Sequence, residues 1–229
     1  MVLFGELSKN IELTESPIFK ALEKESDIGY DISSLDSPIT FELREGEAIN
    51  FEKALIGDFD EEYLRSGFEH ITVDDVNDKI NDCFRNIDDT LWVDLTTDEK
   101  SEIIMGWASF VSEKIGLKEQ PSIVIYRSEV EGECGSYKKS DNIVRLNEYM
   151  MDDVENTFNT VAHELWHAHQ YECAEEPQTY RDVMYRYNFN NYISPEINYD
   201  MYRNQLVESE ARAFATHLLS GSQELFGRL

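Results

Sequence analysis

The sequence predicts an α+β domain in which a small antiparallel sheet covers a helix bearing two histidines, and a second helix bearing two glutamates closes over it. Three observations predict this. Apolar residues recur at helical spacing around His163 and again around Glu210. A β-branched run, PSIVIYR, and a hairpin-like pattern, GSY followed by IVRLN, stand just upstream. Finally, 41% hydrophobic residues, 12% aromatics and only 5 prolines can fill a core, which excludes a disordered acidic chain.

Taken in order, Met1 to His70 carries 17 acidic and 6 basic side chains, a net of −11, and its short apolar clusters are broken by Ser-Pro, Gly and acid-rich pieces. Residues 1–71 are read as an acidic N-terminal extension or a small companion domain, and residues 72–229 as the main domain. The extension suits a segment lying in the cleft, a dock for a basic partner, or a module packed elsewhere. From Thr72 to Ile87, the positions Val76, Ile80, Cys83 and Ile87 share one helical face. A better-signalled helix follows Thr96: an acidic first turn, then Ile103, Ile104, Trp107, Phe110, Val111 and Ile115 at helical spacing, until Gly116 closes it. Pro121 to Arg127 reads as a strand, and Gly135 to Asn147 as a hairpin turning near Ser140 and Asp141. The histidine helix starts near Asp152 or Asp153 and runs to about Tyr171, with Val154, Phe158, Val161, Leu165 and Ala168 as its core stripe. Residues 174–202 read as a polar, Tyr- and Asn-rich connection, and the last helix spans about Met201 to Leu219.

Composition also bounds the partners. With 47 acidic against 20 basic residues the formal charge is −27, so a nucleic acid or an anionic membrane surface meets repulsion rather than counterion release. No stretch approaches the ~20 apolar residues that span a bilayer, and the first thirty residues lack a basic start with an apolar run. Cys83, Cys134 and Cys173 are too scattered for a disulfide framework or a C-x-x-C site. A cytoplasmic protein with idle thiols is expected.

The chemistry sits in His163-Glu164-Leu165-Trp166-His167, an HExxH motif that this composition yields at random roughly 0.014 times per chain. Histidines four apart project from one side of a helix on successive turns, close enough to share one tetrahedral zinc ion. Glu164 is placed beside the position that water takes, where a carboxylate serves as a base. A third protein ligand is needed. No histidine stands six residues after His167, where Cys173 is found, so a glutamate of the last helix is expected instead. Glu208 and Glu210 lie about 200° apart around the axis. Glu210 shares a face with Leu206, Val207, Ala213 and Phe214, and a carboxylate on a buried face needs a compensating charge, so Glu210 is preferred to Glu208. His169 and His217 read as helix-surface residues. The tyrosines at 180, 185, 187, 192, 199 and 202 read first as aromatic packing; the alternative is that they roof the cleft and one of them, not singled out by the sequence, supplies a phenol to the tetrahedral oxyanion. Asp74-Asp75 and Asp88-Asp89 read as solvated faces and helix starts.

With TVAHELWHAHQ preceded by GSY and NIVRLN and followed by ESEARAFA, the stretch 121–220 resembles the gluzincin metallopeptidases, closest in pattern to the ImmA/IrrE family. The resemblance implies a zincin-like fold, a zinc cofactor, peptide-bond hydrolysis of a peptide or protein substrate, His163, His167 and Glu210 as ligands, and Glu164 as general base and later general acid. The alternative from another class is a catalytically silent metal-binding protein that uses the same cleft to hold a partner. A protease docked on DNA is disfavoured by the charge.

Overall fold

The computed structural model describes residues 54, 55, 57, 59–85, 91–128 and 134–227. It is an α+β fold, mostly helical, with one three-stranded sheet among the described residues. The chain divides into two compact units. One comprises Asp60–Glu172 with Glu210–Leu229; the other, in its described part, comprises Cys173–Ser209 with 54, 55, 57 and 59. Residues 1–53, most of the expected extension, lie outside the described residues, as do Ile87, Asp88 and Asp89.

The larger unit opens with α1 (Glu61–Arg65), whose N-cap Asp60 accepts from the Tyr63 amide at 2.7 Å. Phe68 and Ile71, just ahead of the boundary expected at residue 72, are core residues of this unit. In α2 (Val76–Cys83), Val76 and Ile80 are buried and Cys83 is half-buried, as their helical spacing predicts. Burial pushes the Cys83 thiol above its ordinary pKa, which suits an idle cysteine. At the start of α2, Asp75 reaches Lys114 of α3 at 2.7 Å.

Helix α3 (Thr97–Ile115) begins with a complete capping box between Thr96 and Glu99 and ends at Gly116, which takes the left-handed φ of 73°. Ile103, Ile104, Trp107, Val111 and Ile115 are buried and Phe110 packs half-buried against them. The Trp107 indole lies over Phe158 of α4 (Val154–Glu175) with centroids 5.0 Å apart, and its Nε1 donates to the Phe158 carbonyl at 3.0 Å. The polar edge of the largest buried ring on α3 is thereby satisfied without breaking the apolar contact.

The sheet is mixed rather than antiparallel. Strands β1 (Ser122–Tyr126), β2 (Gly135–Lys138) and β3 (Ile143–Asn147) lie in the order β1-β3-β2. The expected hairpin is present: β2 and β3 pair antiparallel, Lys138 opposite Ile143, around a 3₁₀ turn at Lys139–Asp141 and a left-handed Asn142 at φ 49°. Strand β1 adds to the free edge of β3 and runs parallel to it, Ser122 opposite Ile143. The chain between β1 and β2 therefore crosses to the far side of β3, a choice of edge that strand patterning alone does not encode. Val144 and Leu146 of β3 are buried in the core.

The sheet does cover the histidine helix. A Cβ added at Gly135 would come within 2.8 Å of both the Arg145 carbonyl and the Thr160 methyl, so β2 approaches α4 as closely as only glycine permits. Farther along, Tyr137 faces Tyr171 with ring centroids 5.8 Å apart. Helix α4 starts where predicted, with Asp153 accepting from the Asn156 amide at 3.0 Å, and its stripe Val154, Phe158, Val161, Leu165 and Ala168 is buried throughout. Phe214 of α7 (Leu206–Leu218) stacks on Trp166 at 4.3 Å, and Ala211, Ala215 and Leu218 join the same core. Phe226, on the short α8 (Gln223–Phe226), closes against Phe158 at 5.6 Å.

The smaller unit corrects the reading of 174–202 as a polar connection. It contains α5 (Tyr180–Asn190) and α6 (Tyr199–Asn204). A capping box between Thr179 and Asp182 starts α5, and Tyr180, Val183, Met184, Tyr185 and Tyr187 are buried. Tyrosines here do the work that leucines do elsewhere, which hides the helical period from a hydropathy pattern. The expected last helix is interrupted: Gln205 takes an extended conformation between α6 and α7. Its buried side chain explains the break. Oε1 accepts from Asn188 Nδ2 at 2.9 Å and from the Ile193 amide at 2.8 Å, while Nε2 donates to the carbonyls of Ile193 at 2.8 Å and Tyr202 at 3.2 Å. Asn188 in turn accepts from the Val207 amide at 3.0 Å and so satisfies an otherwise orphan donor of the first turn of α7. No helix among the described residues is long and apolar enough to cross a membrane.

Candidate metal centre

Helix α4 sets His163 and His167 one turn apart, and their Nε2 atoms lie 3.1 Å from each other with the rings nearly perpendicular at 89°. His167 is buried and His163 half-buried. The other nitrogen of His167, Nδ1, is 2.9 Å from Oε1 of the buried Gln170. With the amide oxygen as acceptor, Nδ1 carries the proton and Nε2 presents its lone pair toward His163. Two imidazole nitrogens at that separation need a proton or a cation between them.

The third member comes from α7. Ligand atoms of His163, His167 and Glu208 all lie within 4.8 Å of one another, and this group can bind a metal ion. Its dimensions fit one: bonds of about 2.0–2.1 Å at tetrahedral angles put two nitrogens about 3.3 Å apart, and the histidines are at 3.1 Å. Two imidazoles and one carboxylate are also a donor set that leaves a fourth position open. The Tyr192 hydroxyl donates to Glu208 Oε1 at 2.6 Å, the short distance of a bond to an ionised acceptor. Glu164, the general base expected from the motif, is buried on α4.

Glu210, the glutamate expected beside the histidines, is not in this group; Glu208 takes the place. Helix α7 has a more open side at Ser209, Arg212, Ala213 and Thr216, and neither glutamate lies on it. Glu208 is 2% exposed and Glu210 is fully buried at 0%, so burial does not distinguish them. His169 packs on Trp166 with centroids 4.7 Å apart, and His217 lies against Phe68 at 5.4 Å; neither is in the group. Both are half-buried. Of the six tyrosines, Tyr180, Tyr185 and Tyr187 are buried in the core of the smaller unit, and Tyr192 is bonded to Glu208. Gln170 was missed in the sequence although a His-x-x-Gln spacing on one helix signals it. Nothing in the sequence marks Tyr192 over its neighbours.

Cys83, Cys134 and Cys173 are all half-buried, form no disulfide with one another and lie outside the group. No family model, no curated protein and no solved structure matches the chain.

Proposed function

We propose that the chain is a zinc-dependent peptidase with a zincin-like site of the gluzincin type, His163, His167 and Glu208 serving as ligands. The observation that carries this reading is the convergence of the two Nε2 atoms, 3.1 Å apart, with the Glu208 carboxylate, on a helix that also carries Glu164. Zinc held there supplies Lewis acidity, acidifying water and polarising the carbonyl of the scissile peptide.

The rest is done by the chain. Glu164 accepts the proton of the attacking water on its carboxylate and returns it to the departing amine nitrogen. Gln170 keeps the proton of His167 on Nδ1, so that Nε2 stays a ligand. An extended substrate adds by backbone hydrogen bonds to an outer strand of the sheet, β1 or β2, which favours an endopeptidase. Three cysteines that form no disulfide with one another suit a reducing, cytoplasmic setting, and the charge of −27 argues against nucleic-acid or membrane partners.

Elemental analysis of protein purified without chelator, with a cleavage assay on unstructured peptides, tests the reading. One zinc per chain and chelator-sensitive cleavage are expected. Zinc without cleavage of any peptide moves the function to partner binding in the same cleft, and absence of metal removes the reading altogether.

A further inference from the structure

We infer that Tyr192 is a positioning residue of this centre: its phenol hydroxyl holds one oxygen of Glu208, so that the carboxylate offers a single oxygen to a metal ion. The inference rests on the metal-site reading above and deepens it.

Three observations carry it. The hydroxyl meets Oε1 at 2.6 Å, a charge-assisted bond that draws electron density from that oxygen and fixes the rotation of the carboxylate. Glu208 is buried at 2% exposure, where a carboxylate is costly without such partners, while Tyr192 is 39% exposed, so burial alone does not hold the phenol in place. The backbone that delivers the ring is anchored. Ile193, the next residue, bonds through both its amide and its carbonyl to the side chain of Gln205, each at 2.8 Å, immediately before the helix that carries Glu208. The reach of the phenol is therefore set by a buried amide network, not by an unsupported surface ring. A carboxylate with one oxygen engaged binds a cation through the other, which keeps the coordination number low and the fourth position open for water.

The test uses the full chain, freed of metal and titrated with Zn²⁺ against a chromophoric chelator, then loaded with Co²⁺ for its visible spectrum. Tyr192→Phe keeps the ring and removes the hydroxyl. We expect it to bind Zn²⁺ about 10- to 100-fold more weakly than wild type. The Co²⁺ visible bands should lose intensity as the carboxylate gains a second contact, and the metal-free protein should melt as wild type does. Tyr199→Phe, which removes an exposed phenol from α6, should behave as wild type. Wild-type affinity and an unchanged Co²⁺ spectrum in Tyr192→Phe overturn the inference and leave the metal centre standing. An equal loss in Tyr199→Phe also overturns it, and failure of the wild type to bind Zn²⁺ overturns the metal reading and this assignment together.

Discussion

Gln170 meets the Nδ1 atom of His167 at 2.9 Å from three residues farther along the same helix, so the residue that sets the tautomer of this imidazole travels with it. Gln170→Leu removes the acceptor without emptying the space. Zinc affinity should fall about 10- to 100-fold, the usual effect of losing a partner of a ligating histidine, and chelator competition measures it.

The two glutamates of α7 should separate cleanly. Glu208→Gln is expected to empty the centre, because an amide oxygen is a poor substitute for a charged ligand, whereas Glu210→Gln should retain one zinc per chain. Metal content after gel filtration reads the outcome, and the reverse order would restore Glu210 as the ligand.

Glu164→Gln should keep its zinc and lose about 10²- to 10⁴-fold in turnover, since an amide cannot take the proton that the carboxylate accepts. Equal peptidase rates for variant and wild type at equal zinc content would take Glu164 out of the mechanism.

Acid stability carries a contribution from Asp75, whose carboxyl the hydrogen bond from Lys114 holds below the ordinary range. A group depressed in the folded state contributes stability that is fully present above its unfolded pKa, about 3.9, and is lost as pH falls through the lower folded value. Asp75→Asn should thus cost stability at neutral pH and nothing once the pH is below the depressed folded value, where both proteins carry a neutral group. With the Asp75 side chain 59% exposed, the loss should stay below about 1 kcal/mol. Urea titrations at several pH values give the comparison.

The N-terminal cap of α3 offers a larger effect. Thr96→Ala breaks one arm of the capping box with Glu99 and should cost about 1 kcal/mol, seen as a lower urea midpoint with an unchanged slope.

What could be read from the sequence was local. Thr96 and Gly116 bound α3 because a cap acts within one turn, and the β2–β3 hairpin announces itself through its own short turn. The motif at 163–167 fixes the pairing of its histidines for the same reason. Choices that depend on distant segments were hidden. Strand β1 had two edges open to it, and its parallel pairing with β3 depends on where the chain beyond Tyr126 crosses. Helix α5 escaped because tyrosines fill its core positions and an aspartate completes its capping box. Glu208 could not be separated from Glu210 because both are buried, and the more open side of α7, at Ser209, Arg212, Ala213 and Thr216, holds neither.

Gln205 limits what sequence this scaffold accepts. Its one side chain supplies two acceptor contacts and two donor contacts inside a sealed space, to Asn188, Ile193 and Tyr202. Glutamate has the length but no donor, and would set a negative oxygen against two carbonyls. Asparagine has both functions but is one methylene short, and methionine or leucine would strand every partner. Position 205 therefore tolerates glutamine alone, and drift at a residue that touches no ligand would still be felt wherever Tyr192 and Glu208 must meet.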